Sequence, residues 1–168
     1  MFTSAILSTT IFLMCFQSNE YNGIVPLRST RADVERILGQ PVPVPFSPFG
    51  ARYKTNIREI NFSFSRGRCT EAPGNGWDVP RDVVLNIRET FTERVRLNDL
   101  KINTSRFKRT ADPGIIGSVS YDDDRDGIGI TVDPEGYVVS IMYYPARKDL
   151  HLRCEHNRID FDEKYLWE

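Results

Sequence analysis

The sequence predicts an α+β fold in which a short capped helix packs on one face of an antiparallel sheet. Three observations predict it. Residues 27–41 spell a helix with its own start, apolar stripe and stop; the chain beyond Arg52 alternates apolar and polar residues with a period of two; and Gly, Pro, Asn and Asp punctuate those runs as turns.

The first 16 residues, MFTSAILSTTIFLMCF, carry no charged side chain, and the chain turns polar at Gln17-Ser18-Asn19-Glu20. An apolar run of this length is short for a membrane span and reads as a signal peptide over 1–18, with export to a secreted or periplasmic location. Cys15 raises a lipoprotein signal as an alternative, but Met14 stands where lipidation wants a small side chain, so the chain would touch a membrane only through such an N-terminal anchor. Residues 19–168 then form a single α+β domain, long enough for one real core. Outside the leader two cysteines remain, Cys69 and Cys154, and in an oxidising compartment that pair reads as a disulfide.

The helix is expected over about 30–38. Thr30 can accept from the Asp33 amide while the Asp33 carboxylate answers the Thr30 amide, which is a capping box. Val34, Ile37 and Leu38 follow at i, i+3 and i+4 as an apolar stripe, expected against a Phe62/Leu85/Ile130 sheet face, and Gly39 and Pro41 end the helix. Prolines at 41, 43, 45 and 48 then favour an extended path. Phe46 and Phe49 ride on it, either folded back on the core or standing out as a contact for a partner.

Ile60, Phe62 and Phe64 alternate with Asn61, Ser63 and Ser65, and Val83, Leu85 and Ile87 alternate with Val84, Asn86 and Arg88, each set a strand with one dry face and one wet. The loop between them carries Trp77, which either plugs the sheet end or faces a partner. A weaker second helix is expected over about 97–105, and further strands over 119–122, 128–132 and 137–144, the last two joined by a turn at Asp133-Pro134-Glu135-Gly136. Tyr53-Lys54 echoes Phe107-Lys108, Phe62/Phe64 echoes Ile128/Ile130, and residues 83–87 echo 138–142, so the fold is a candidate tandem pseudo-repeat. The tail, 155–168, mixes acids with Ile159, Phe161, Tyr165, Leu166 and Trp167, as a docking segment or one that orders on a partner.

Thr30-Arg31-Ala32-Asp33-Val34 through Leu38-Gly39-Gln40-Pro41, a capped helix ahead of antiparallel strands and behind a leader, resembles the SmpA/OmlA group of small outer-membrane assembly lipoproteins and the related β-lactamase inhibitory protein fold. The stretches VPLRSTRADVERILG, WDVPRDVV and YYPARKDLHLRC also look like uncharacterised secreted bacterial proteins. The resemblance implies a helix-on-sheet scaffold whose open sheet face and loops bind other proteins.

Candidate chemistry is sparse. Asp122, Asp124, Asp126 and Gly127 make D-x-D-x-D-G, the opening half of a calcium loop, but an EF-hand wants an apolar residue at Gly129, a bidentate Glu at Asp133 and flanking helices; a solvated hairpin tip is the reading preferred. His151, Cys154 and His156 are three donors within six residues, too few for a structural zinc site once Cys154 joins Cys69. No nucleophile elbow or phosphate loop is present. The expectation is therefore a protein-binding or envelope-assembly module without catalysis and without cofactor. The alternatives are a secreted hydrolase or metal-dependent enzyme using His151 or His156 with nearby acids, and a small apolar ligand carrier with a cavity behind Phe62 and Ile130. Charge totals, 22 basic against 23 acidic, argue against nucleic acid. Residues 81–109 hold eight Arg or Lys against four acids, whereas 110–136 hold seven acids against Arg125 alone, a dipole that could steer a protein partner.

Overall fold

The computed structural model describes residues 19–43, 48–71, 76–112 and 116–155. The leader with Cys15, Phe46, His156 and nearly all of the tail lie outside them. One α-helix, α1 (Arg31–Leu38), precedes seven strands: β1 (Gly50–Lys54), β2 (Arg58–Phe64), β3 (Val84–Phe91), β4 (Lys108–Ala111), β5 (Val119–Asp123), β6 (Ile128–Val132) and β7 (Val138–Tyr143). They form a single antiparallel sheet in the order β1-β2-β3-β7-β6-β5-β4, a mostly-sheet α+β fold.

The capping box of α1 is present. Thr30 N–H donates to Asp33 Oδ2 (2.9 Å) and the Asp33 N–H donates to Thr30 Oγ1 (3.3 Å). The Thr30 amide first, then its hydroxyl and Arg36, hold the Asp33 carboxyl down to about 2. Gly39 stops the helix with φ 81° and donates its N–H to the Glu35 carbonyl. The expected stripe is only partly dry: Val34 is fully buried and Leu38 packs on the core, but Ile37 is 39% exposed. An eight-residue helix crossing a twisted sheet presents one narrow line of contact, and Ile37 falls beside it.

Two core clusters lie side by side under the same sheet face. Val34, Ile24, Tyr53, Ile60, Phe62, Phe64, Val84 and Ile87 fill the first, beneath β1–β3; Phe107, Ile128, Ile130, Val132, Val138 and Ile141 fill the second, covered by Leu97, Leu100 and Ile102. The second helix expected over 97–105 is a single 3₁₀ turn, Leu97–Leu100. Arg96 gives it no side-chain cap, and Lys101 at φ 54° turns the chain away, so no second turn of helix forms.

The expected dry set Val83, Leu85 and Ile87 is also corrected. Phe62 pairs with Ile87 and Ser63 with Asn86, but Phe64 pairs with Val84, leaving Leu85 as an extra residue, a β-bulge. The bulge turns Val84 and Ile87, three apart, into the core and sends Leu85 to the opposite side. There Leu85, Trp77 and Leu152 pack on a third, smaller cluster of Leu27, Val79 and Val83. Leu85 therefore leaves the expected Phe62/Leu85/Ile130 face, on which Phe62 and Ile130 remain in neighbouring clusters.

An equal bulge recurs in the other half. Thr131 pairs with Ser140 and Val132 with Val138, which makes Val139 the extra residue and buries Val138 and Ile141 together. At the seam Ile87 pairs with Tyr143, Arg88 with Met142 and Glu89 with Ile141, a register that exchanges with itself when 87–89 are swapped for 141–143.

Candidate functional site

Register assigns every strand residue to one of two faces. On the covered face the row Tyr53-Ile60-Glu89-Ile141-Ile130-Tyr121 crosses six strands, with one charge at its centre. Glu89 is 2% exposed and accepts from Arg58 Nη1 (2.6 Å), with the Tyr143 hydroxyl at 3.4 Å. Burial first, and then the Glu89 charge, raises the Tyr143 hydroxyl well above its ordinary range. This is a hydrogen-bonded ion pair between two cores.

Among the described residues the opposite face carries no α-helix, only the 3₁₀ turn Arg147–Leu152 at one end. One of its rows reads Lys54-Glu59-Thr90-Ser140-Thr131-Ser120-Thr110, and the next reads Arg52-Asn61-Arg88-Met142-Gly129-Asp122-Lys108. The basic end lies over β1–β3, and Asp122 with Asp112 lies toward β5. Charge on this face does not follow the division expected along the chain: Arg52 and Lys54 lie outside the basic segment and pair with Glu59, and Lys108, from that segment, stands beside Asp122.

At one end of the face is a cavity of about 420 Å³. Its apolar walls are Trp77, Leu85, Met142, Pro145 and Leu150, and Arg147, Arg153 and Asp124 bring charge to it. Asn86 and Met142 are shared with a polar trough lined by Arg52, Asn61, Ser63 and Arg88, so cavity and trough are one continuous depression.

The wall is held from three directions. The Cys69–Cys154 disulfide, Cα–Cα 5.7 Å, ties the segment after the second 3₁₀ turn, Arg147–Leu152, to the loop before β3. Trp77 bridges Arg153 in antiparallel fashion, Asp78 N–H donates to the Leu152 carbonyl (2.7 Å), and Cys154 N–H donates to the Gly76 carbonyl (3.0 Å). From below, Tyr144 donates its hydroxyl to Asp124 Oδ1 (3.0 Å), and burial followed by the Asp124 charge raises that hydroxyl far above its ordinary range. Arg147 N–H donates to the Asp124 carbonyl (2.8 Å), joining the β5–β6 turn to the same wall.

No protein-family model and no curated protein matches the chain. Among solved structures it is similar to the crystal structure of a DUF4309 family protein, YjgB, from Bacillus subtilis subsp. subtilis str. 168, at 15% identity over 73% of this chain and 82% of that one, with a TM-score of 0.49.

The aspartates singled out in the sequence do not converge. Asp126 pairs with Arg106, Asp124 serves Tyr144, and Asp123, 5% exposed, pairs with Arg106 Nε at 2.8 Å. No group of three metal-binding side chains gathers among the described residues. Asp122 lies over Gly129, where a Cβ would meet its carboxylate at 2.8 Å. Burial first, then the charges of Asp124 and Asp112, raises the Asp122 pKa against the opposing pull of Lys108. A raised folded-state value means that stability from this group is present below the unfolded pKa and is lost as pH rises through the folded one. Asp122→Asn is therefore expected to raise the thermal midpoint at pH 7 by about 1–3 °C, a gain that disappears at pH 3; paired melts at the two pH values measure it.

His151 is exposed, with Nδ1 against the Lys148 carbonyl (2.9 Å), in a different depression from Asp124. Phe49 is half-buried with the guanidinium groups of Arg66 and Arg81 over its ring at 5.1 and 5.4 Å. Trp77 is the expected contact residue that lines the cavity. Leu85, Met142 and Leu150 are site residues that the sequence alternation does not announce; the one available signal is Met142, apolar on the same side of β7 as Ser140.

Proposed function

We propose that this chain is an exported binding module, closed by its disulfide, that engages a protein partner through the uncovered sheet face without catalysing a reaction. The observation that carries this reading is the depression itself: an apolar cavity continuous with a polar trough, on the face that no α-helix covers among the described residues. Concave apolar walls with a few placed charges are the features of a recognition site. The disulfide and the apolar N-terminal run favour export, and the envelope-assembly part of the reading leans on the resemblance of the Thr30–Pro41 segment. Phe62 and Ile130, behind which a cavity for an apolar ligand is expected, are buried in the two cores, and the depression lies on the other side of the sheet.

The self-exchanging register at the β3–β7 seam and the two matching bulges support a tandem duplication in which β1–β2–β3 corresponds to β5–β6–β7. In that correspondence β4 is an added edge strand, so Tyr53-Lys54 and Phe107-Lys108 are not equivalent.

A photo-crosslinking amino acid at Thr131, on the uncovered face, tests the reading against one at Arg36 on α1, each in the full chain expressed in its source cells. A discrete protein adduct from position 131 alone is expected. Adducts from position 36 only, or none from either, would overturn the proposal.

A further inference from the structure

We infer that the cavity takes an aromatic side chain of an extended partner segment, and that acidic residues flanking that side chain meet Arg88 and Arg147. This rests on the binding-module reading and specifies its partner. The walls are large and apolar: Trp77, Leu85, Met142 and Leu150. Tryptophan is the side chain most often found at energetic anchors of interfaces, and methionine reshapes to fit what enters. A volume of about 420 Å³ exceeds what one aliphatic side chain needs and suits an aromatic ring with its backbone.

Charge fixes the flanks. Arg88 and Arg147 are exposed and form no ion pair among the described residues, and Arg153 lies on the Trp77 side with its guanidinium 5.9 Å from the ring. Asp124 also lines the cavity and keeps its negative charge, since the Tyr144 hydroxyl that donates to it is neutral, but Arg147 and Arg153 beside it and Arg88 in the trough outnumber it. The cavity and the trough beside it therefore present a net positive field, and carboxylates on either side of an aromatic anchor complement it. The trough leads away from the cavity over Asn86, Ser63 and Asn61, hydrogen-bonding side chains spaced along a path that an extended backbone can follow.

The test uses the oxidised full chain and a fluorescein-labelled peptide with one phenylalanine between aspartates. Two control peptides replace the phenylalanine by alanine or the aspartates by lysine. Saturable anisotropy is expected for the first peptide, weaker by tenfold or more for both controls and in 0.5 M salt. Arg147→Glu, at an exposed position that should not disturb folding, and Met142→Asp should each lose tenfold or more while keeping the melting profile. Binding weakened by Arg88→Glu or Asn61→Asp but indifferent to Met142→Asp and Arg147→Glu overturns the cavity assignment and leaves the outer-face reading standing. Indifference to all four overturns both. Binding of free phenylpropionate as tight as that of the peptide assigns the cavity to a small acid and overturns the inference, as does equal binding of the lysine peptide.

Discussion

Replacing Cys69 and Cys154 together by serine is expected to lower the unfolding free energy by about 4–5 kcal/mol and the thermal midpoint by roughly 10–15 °C. The two cysteines are 85 residues apart, and the chain between them includes β3 through β7. Opening so long a loop restores to the unfolded chain the freedom the bridge removes, the largest such effect available in this fold. A second cost is local. Cys154 is 2% exposed, and its neighbours Arg153 and Leu150 form one side of the cavity, so two serine hydroxyls would sit where an apolar bridge stood. Chemical denaturation of the oxidised protein and the double variant measures the first effect. The labelled acidic peptide measures the second, with binding expected to fall before the sheet itself melts. A midpoint within 3 °C of the parent would show that the bridge adds little to what the sheet already holds.

The elements that were legible in the sequence are those whose signal is local. The α1 cap needs only Thr30 and Asp33, and the alternation of β2 from Ile60 to Phe64 and of β6 from Ile128 to Val132 is unbroken. What failed to read depended on partners far along the chain. The bulge at Leu85 is a mismatch between two strands, and nothing in residues 83–87 alone announces that Val84 rather than Leu85 turns inward. β4 reads Lys-Arg-Thr-Ala, exposed at every position, and so leaves no alternation behind, unlike β1 at the other edge, which buries Ala51 and Tyr53. The cavity was illegible for the same reason as the bulge. Trp77, Leu85, Met142 and Leu150 come from four segments, and Leu85 reaches the cavity only through the extra residue in β3. The disulfide was legible because, once the apolar run that holds Cys15 is read as a leader, the two remaining cysteines have one partner each.

Gly127→Ala should cost about 3–5 kcal/mol, an effect comparable to that of the bridge and with a different cause. Gly127 opens β6 at φ 70°, and a Cβ there would stand 2.1 Å from the Tyr144 carbonyl oxygen and 3.0 Å from the Ala146 nitrogen. Both are backbone atoms, so no rotamer change relieves the contact. Moving the strands apart breaks the bond from Tyr144 N–H to the Gly127 carbonyl (2.9 Å) and then the bond from Arg147 N–H to the Asp124 carbonyl. Gly39→Ala separates conformational strain from collision, because Gly39 also has a positive φ, 81°, but nothing lies within 4 Å of its Cβ position. Gly39→Ala is expected to cost about 1–3 kcal/mol in denaturant unfolding, because ψ -157° puts it where only glycine is at ease, and any larger loss at Gly127 reports the collision. Equal losses would mean that the end of β7 yields freely to the added methyl. In that case the wall from Tyr144 to Arg147 would not be the rigid support on which recognition by the cavity depends.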